Sequence, residues 1–303
     1  MPIPLSYPGF KCVLEHLEAV KRAHIIARAP GFRKVDKFIP LRLKELYFKL
    51  NEVTINTLTI KCDKNEVRFK MNGNTFSRER SASREDKMMK LINFYFGGKS
   101  IIHVDEVDWA EGSVPDFLPV DLKFRMNSLA ANSNQFDTLL PFIDPRSFPL
   151  KTVVTFCEPS TYNSHIATSA ETLILGSYFN TTITLEELKK LKNERVLFER
   201  FSYSRMDMVA LIKYQKETKK ATGTTFVIAT DDKSFIDMML RELEQAFGKY
   251  RSDLDGVNER FIPGWTKFLI PINNESRIQV YAIELPGEGG RREIAIKPVS
   301  AVI

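Results

Sequence analysis

The chain has 303 residues, 43% of them apolar and 27% charged, a globular composition long enough for about two domains. No run approaches the ~18 apolar residues of a membrane span, and three widely spaced cysteines exclude a disulfide framework and a zinc knuckle. The formal charge is +6, and residues 1–50 carry ten basic against four acidic side chains, the whole excess; such a segment attracts an acidic partner.

Pro2, Pro4 and Lys11 interrupt any signal-peptide form, so an intracellular protein, cytoplasmic or nuclear, is expected. Pro8 precedes an amphipathic stripe, Phe10, Val13, Leu14 and Leu17, at the i, i+3, i+4, i+7 spacing of a helix. A second helix runs from Val20 to Ala29 and stops at Pro30-Gly31. Phe32, Val35 and Phe38 make a third short turn before Pro40. Residues 1–44 are thus a helical segment too small to bury a core alone. Its stripe must pack on the rest of the chain or on another protein. In the second case Val13, Leu14 and Leu17 supply the buried centre of the contact, and Arg22, Arg28, Arg33 and Lys34 its charged rim.

Residues 45–130 form a small α+β region. Val53, Ile55, Leu58, Ile60, Val67 and Phe69 favour strands, with turns at Lys64-Asn65 and Asn72-Gly73-Asn74, which predicts a meander of about three strands. Arg78 and Arg80 stand three residues before Ser81 and Ser83, a basophilic-kinase pattern; a charged loop that caps a helix is the favoured reading. Ser83 and Asp86 predict a capping box, before a helix with Met88, Leu91, Ile92 and Tyr95 that ends at Gly97-Gly98. Ile101–Val107 is a further strand. Residues 110–149, rich in Pro, Asn and Asp, are the best domain boundary, with a strand at Val120–Met126 inside it.

Residues 150–303 alternate strands and helices. Strands are expected at Val153–Phe156, Leu173–Leu175, Arg195–Phe201 and Thr225–Ala229, about 20–30 residues apart, the rhythm of an irregular leucine-rich-repeat-like β–α array. Thr184 with Glu187, Ser204 with Asp207, and Asp231 or Asp232 open the helices between and after them. The predicted core is Leu173, Leu175, Leu188, Val196, Leu211, Ile212, Phe226, Val227, Leu240 and Leu243. Antiparallel strands close the chain at Phe268–Ile272, Arg277–Ile283 and Glu293–Lys297. The fold class expected is therefore mixed α/β: short helices, a small β-meander with one helix, then the β–α array ending in antiparallel strands.

Residues that carry chemistry are sparse. His16, His24, His103 and His165 stand at no metal-ligand spacing. Asp253-Leu254-Asp255-Gly256 opens like a calcium loop, but Val257 and Asn258 stand where a ligand and a glycine are needed. Phosphate-binding glycine loops and a nucleophile elbow are missing. No enzyme activity, metal or cofactor is expected. The basic first fifty residues leave nucleic acid as the least favoured partner, without the aromatic platform that RNA or DNA readout adds.

Pro4-Leu5-Ser6-Tyr7-Pro8-Gly9-Phe10 through Ile39-Pro40-Leu41-Arg42-Leu43, Lys70-Met71-Asn72-Gly73, Leu140-Pro141-Phe142-Ile143-Asp144-Pro145-Arg146 and Ile270-Pro271-Ile272-Asn273-Asn274-Glu275-Ser276 resemble the nematode-expanded F-box C family. Residues 170–230 resemble its F-box-associated domain. The resemblance implies an adaptor: the N-terminal segment would hold the Skp-type subunit of a cullin ubiquitin ligase, and residues 150–303 a protein substrate. On that pattern Leu5 and Pro8 match the opening pair, Val13, Leu14 and Leu17 the first helix, and Ile25 and Ile26 the second. Phe32-Arg33-Lys34 stands where the family pattern has a Trp-containing run. The alternative expectation is a self-contained scaffold or decoy whose helices pack on its own sheet.

Overall fold

The computed structural model describes residues 7–99, 101–110, 118–119, 121–177, 181–199, 205–220, 223–254, 257, 259–285 and 291–301. The fold is mixed α/β and divides into two compact units, Met1–Leu150 and Lys151–Ile303. Among the described residues no helix is long and apolar enough to cross a membrane.

The first unit opens with α1 (Tyr7–His16), α2 (Ala19–Arg28) and the short α3 (Arg33–Lys37). Glu18 caps α2, its carboxylate accepting from the Lys21 N–H at 3.0 Å. Strands β1 (Leu41–Lys49), β2 (Glu52–Ile55), β3 (Leu58–Cys62), β4 (Glu66–Met71) and β5 (Asn74–Glu79) follow. Helix α4 (Arg84–Phe96), β6 (Ile101–Trp109), β7 (Lys123–Ala131) and the short α5 (Phe136–Leu139) complete it. Within the unit the sheet order is β7-β6-β1-β2-β3-β4-β5. β1, β6 and β7 are parallel, and β1 to β5 form an antiparallel meander.

One expectation is corrected here, and one boundary is sharpened. The meander is longer than predicted, beginning at Leu41 and ending with β5. β5 has one apolar residue, Phe76, and is specified by its turn instead: Asn72 and Gly73 take φ of 50° and 82°, the left-handed pair that an Asn-Gly hairpin supplies. The stretch expected as a boundary, 110–149, contains β7, where a strand was expected, and the two units divide at its end, between Leu150 and Lys151. Asn132, Asn134, Pro141, Asp144 and Pro145 belong to the short turns that follow β7.

One cross-strand row of the first unit runs Ala131, Trp109, Phe48, Val53, Ile60, Phe69, Phe76. Ala131 through Ile60 are buried, Phe69 is half-buried and Phe76 is 50% exposed. α4 explains where cover stops. It lies against β3, with Met88 and Ile92 buried, and its Lys87 Nζ donates to the Asp63 and Lys64 carbonyls at 2.9 and 2.8 Å.

The second unit holds the β–α array. Parallel strands β8 (Thr152–Phe156), β9 (Thr172–Gly176), β11 (Arg195–Glu199) and β13 (Thr225–Thr230) pair in that order. Between them lie α6 (Pro159–Asn163), α7 (His165–Ser169), β10 (Thr182–Ile183), α8 (Leu185–Leu188), β12 (Arg205–Met206) and α9 (Met208–Thr218). β10 and β12 make a separate two-stranded sheet. α10 (Lys233–Phe247) leads to β14 (Phe268–Pro271), β15 (Ser276–Glu284) and β16 (Arg292–Ser300), and antiparallel β16 closes on β13. Its row runs Val153, Leu173, Val196, Phe226, Ile296, Val280, Phe268, every side chain buried.

Local signals act as expected at most junctions. Thr184 and Glu187 form a reciprocal capping box, and Asp232 accepts from the Ser234 and Phe235 N–H groups. Asn273 Oδ1 accepts from the Glu275 and Ser276 N–H groups, both at 2.8 Å, which turns β14 into β15. All ten predicted core residues are buried. The Ser204–Asp207 cap differs: Ser204 lies outside the described residues, as does Phe201, and Asp207 itself is the N-cap without a side-chain bond.

Candidate functional site

A cleft lies in the first unit, where α2 and α3 meet the end of α4. Its cavity of about 390 Å³ has a floor of Ala19, Ala23, Ile26, Ala27 and Leu41 beside Phe94 and Tyr95. Ala19, Ala23 and Ala27 recur every four residues, so one face of α2 is small side chains and the cleft is the space they leave. That volume suits a small ligand.

Arg22 and Lys99 hold the wall together through Asp36. Arg22 is 2% exposed. Its Nε donates to Asp36 Oδ1 at 2.6 Å, Nη1 to the Leu14 and Pro40 carbonyls at 3.3 and 2.9 Å, and Nη2 to the Asp36 and Ile39 carbonyls at 3.1 and 2.8 Å. Every N–H of the fork is spent. Lys99 Nζ reaches Asp36 Oδ2 at 2.8 Å and the Ile39 carbonyl at 3.4 Å, and also bonds the Asp36 carbonyl. Burial lowers the Lys99 pKa, opposed by its bond to Asp36 and reinforced by nearby Arg22. Burial also pushes the Tyr95 hydroxyl up to about 12, with the Glu18 charge adding to it.

The cleft therefore offers structure more than reactivity. Its carboxylate, Asp36, is clamped between two cations, and the lining supplies no hydroxyl or thiol nucleophile beyond the buried Tyr95. Arg33 and Lys37 remain exposed at the mouth. Beside them α4 ends, and its last carbonyls oppose an anion. Among the described residues no group of His, Cys, Asp and Glu is arranged to hold a metal.

The residues singled out from the sequence separate into two sets. Leu14, 1% exposed, packs with Ile26 and Ile39, and Phe10, Leu17 and Val35 close around them. Phe10 also packs its ring 4.3 Å from that of Phe32. Leu14 and Ile26 are thus core of the segment itself, and Arg22 is an internal clasp, so Leu14 of the expected interface centre and Arg22 of its rim are not free. Pro8, Arg28, Arg33 and Lys34 are exposed, as are Val13 at 48% and Ile25 at 42%. Leu5 lies outside the described residues. Cys12 is exposed, whereas Cys62 and Cys157 are buried. Ser83 caps α4, its Oγ accepting from the Asp86 N–H at 3.0 Å.

Sequence reasoning missed Asp36 and Lys99, and placed Phe38 in a short turn without a role at the surface. Phe38 is 85% exposed between α3 and β1, and its apolar character beside Pro40 was the available signal. For Asp36 and Lys99, which stand far apart in the chain, no local pattern could have found the pairing.

Residues 83–232 match the family described as a domain of unknown function, DUF3557. The match begins at the cap of α4 and ends at the cap of α10. It leaves out the N-terminal helices, the β1–β5 meander and the closing antiparallel strands. No curated protein and no solved structure matches the chain.

Proposed function

We propose that the chain is a non-enzymatic protein-interaction module whose N-terminal helices are packed on its own first unit. The division of the amphipathic stripe carries this reading. Phe10, Leu14 and Leu17 are spent inside the segment, and Arg22 fixes it through Asp36. This supports a self-contained scaffold, because it takes Phe10, Leu14 and Leu17 from the face that an open helical docking site would present.

A second reading, the F-box-like adaptor, keeps a narrower surface. Val13, Ile25 and Phe38 are exposed, with Arg28, Arg33 and Lys34 also exposed on the same segment. Apolar anchors with a basic rim suit a Skp-type subunit joined to a cullin.

Two substitutions separate the readings. Leu14→Asp buries an unpaired carboxylate, so the scaffold reading expects the first unit to lose its cooperative unfolding transition. Val13→Asp should leave that transition in place. Calorimetric titration of the full chain with a purified Skp-type subunit is expected to give no heat of binding. Binding that Val13→Asp removes would replace the scaffold by the adaptor.

A further inference from the structure

We infer that β5 is a docking edge, which takes an extended acidic segment of a partner protein as an added strand. The inference rests on the reading of the chain as an interaction module and names one surface of it, distinct from the N-terminal helices.

β5 ends the sheet order of the first unit, and all six of its residues are exposed. The backbone is already aligned for a partner. The Arg80 N–H donates inward to the Asn65 carbonyl at 2.8 Å. Along an antiparallel strand inward and outward groups alternate, so the N–H and C=O groups of Thr75, Ser77 and Glu79 face outward. Among the described residues nothing pairs with them. Unpaired edges of this kind are usually blunted, and among the described residues no proline, bulge or covering segment does so.

Side chains define the occupant. Phe76 stacks on Phe69 with ring centroids 4.9 Å apart, and Met71 lies on the same face, 38% exposed. The apolar row continues beyond the cover of α4 and stops in solvent. Arg78 shares the face of Phe76, and residues 66–84 carry five basic against two acidic side chains. Arg68 is engaged by Glu66 and Asp63, but Arg78 and Arg80 form no ion pair among the described residues. A complementary strand carries an apolar residue opposite Phe76 and an acidic residue two positions away, opposite Arg78, so that both share one face. Main-chain bonds then give affinity and the alternate side chains selectivity. A second copy of this chain fits less well, because it would bring the same basic charge to the edge.

The test is fluorescence anisotropy of the full chain with two labelled peptide sets. One places Glu or Asp two positions either side of a central Val, Ile or Phe; the other has Lys in place of each acid. The acidic set is expected to bind, more weakly as salt is raised. Ser77→Pro removes an outward N–H while leaving the β4 side of the hairpin its bonds, and should weaken binding at least about tenfold with the melting temperature held. Arg78→Glu should reverse the preference between the sets. Equal binding of the two sets, or undiminished binding to Ser77→Pro, overturns the inference. A concentration-dependent dimer that Ser77→Pro dissolves overturns it in favour of a second copy. Peptide binding with no Skp-type complex supports both this edge and the scaffold; a Skp-type complex with no peptide binding removes both and leaves the adaptor.

Discussion

The two units build the same kind of cross-strand row and finish it differently. In the second unit the row from Val153 to Phe268 is buried from end to end. Its last strand is covered: Arg251 bridges Phe268, and the Ser252 N–H donates to the Lys267 carbonyl at 3.0 Å. In the first unit the row is buried as far as Ile60 and then opens through Phe69 to Phe76. A ring at the same register position is thus core in one unit and surface in the other. Cover by helices and flanking chain decides its contribution, not the residue type.

The sharpest way to break that comparison is to truncate matched rings. Phe226→Ala removes a fully covered side chain and should cost about 3–5 kcal/mol. Phe76→Ala removes one that is half in water and should stay within about 0.5 kcal/mol. Urea unfolding of both variants checks this, and similar losses would mean that the β5 face is covered in solution.

A second test asks what holds the first unit where its apolar row does not. Asp36 lies between buried Arg22 and Lys99. Asp36→Ala strands two buried cations and should destabilise by about 3–5 kcal/mol, with Asp36→Asn intermediate. A loss below 1 kcal/mol in the Ala variant, measured by the same unfolding, would show the clasp to be dispensable.

The sequence announced the second unit more fully than the first, for physical reasons. Val153, Leu173, Val196 and Phe226 are read by alternation, and Thr184 and Asp232 by local capping, so each signal lies within a few residues of its structural effect. β5 is hidden because Asn74, Thr75, Ser77, Arg78 and Glu79 have little strand character of their own. β7 was expected as a strand at Val120–Met126 but its extent was obscured by its surroundings: Pro, Asn and Asp flank a strand that alternates normally at Phe124 and Met126. The cleft depended on pairing across distance. Amphipathic spacing found Leu14 and Ile26 but could not tell an inward face from a docking face, and nothing near Arg22 predicts that its donors go to Leu14, Asp36, Ile39 and Pro40.

Thiol labelling gives a smaller and more local view of the same contrast. Cys12 is exposed and should react promptly, while Cys62 and Cys157 are buried. Burial pushes their thiols up to about 11 and about 12 respectively, so near pH 8 little thiolate is available. One equivalent of maleimide is expected to be consumed in the native state. In sub-denaturing urea Cys62, paired with Val67 of β4 near the open side of the sheet, should become reactive before Cys157. The opposite order, read by mass spectrometry, would place the weaker cover in the second unit.

The smallest effect is a pH slope in the first unit. His103 sits on β6 between Arg42 of β1 and Arg125 of β7. Burial lowers its pKa first, then the charges of Arg42, Arg125 and Arg146, against an opposing pull from Asp144. The unfolded chain therefore binds this proton more readily than the native one. Stability is at its full value above the unfolded pKa of about 6.5 and falls as the pH drops toward the lower native pKa. Carboxylates whose own pKa is lowered, Asp144, Asp232 and Glu244, lose their contribution only at or below their ordinary range, so they leave this window clear. The urea midpoint of the first transition should decline modestly between about pH 7 and 5, and His103→Gln should flatten that decline. A midpoint that rises on acidification, or a slope identical in the variant, would assign the pH dependence to another group.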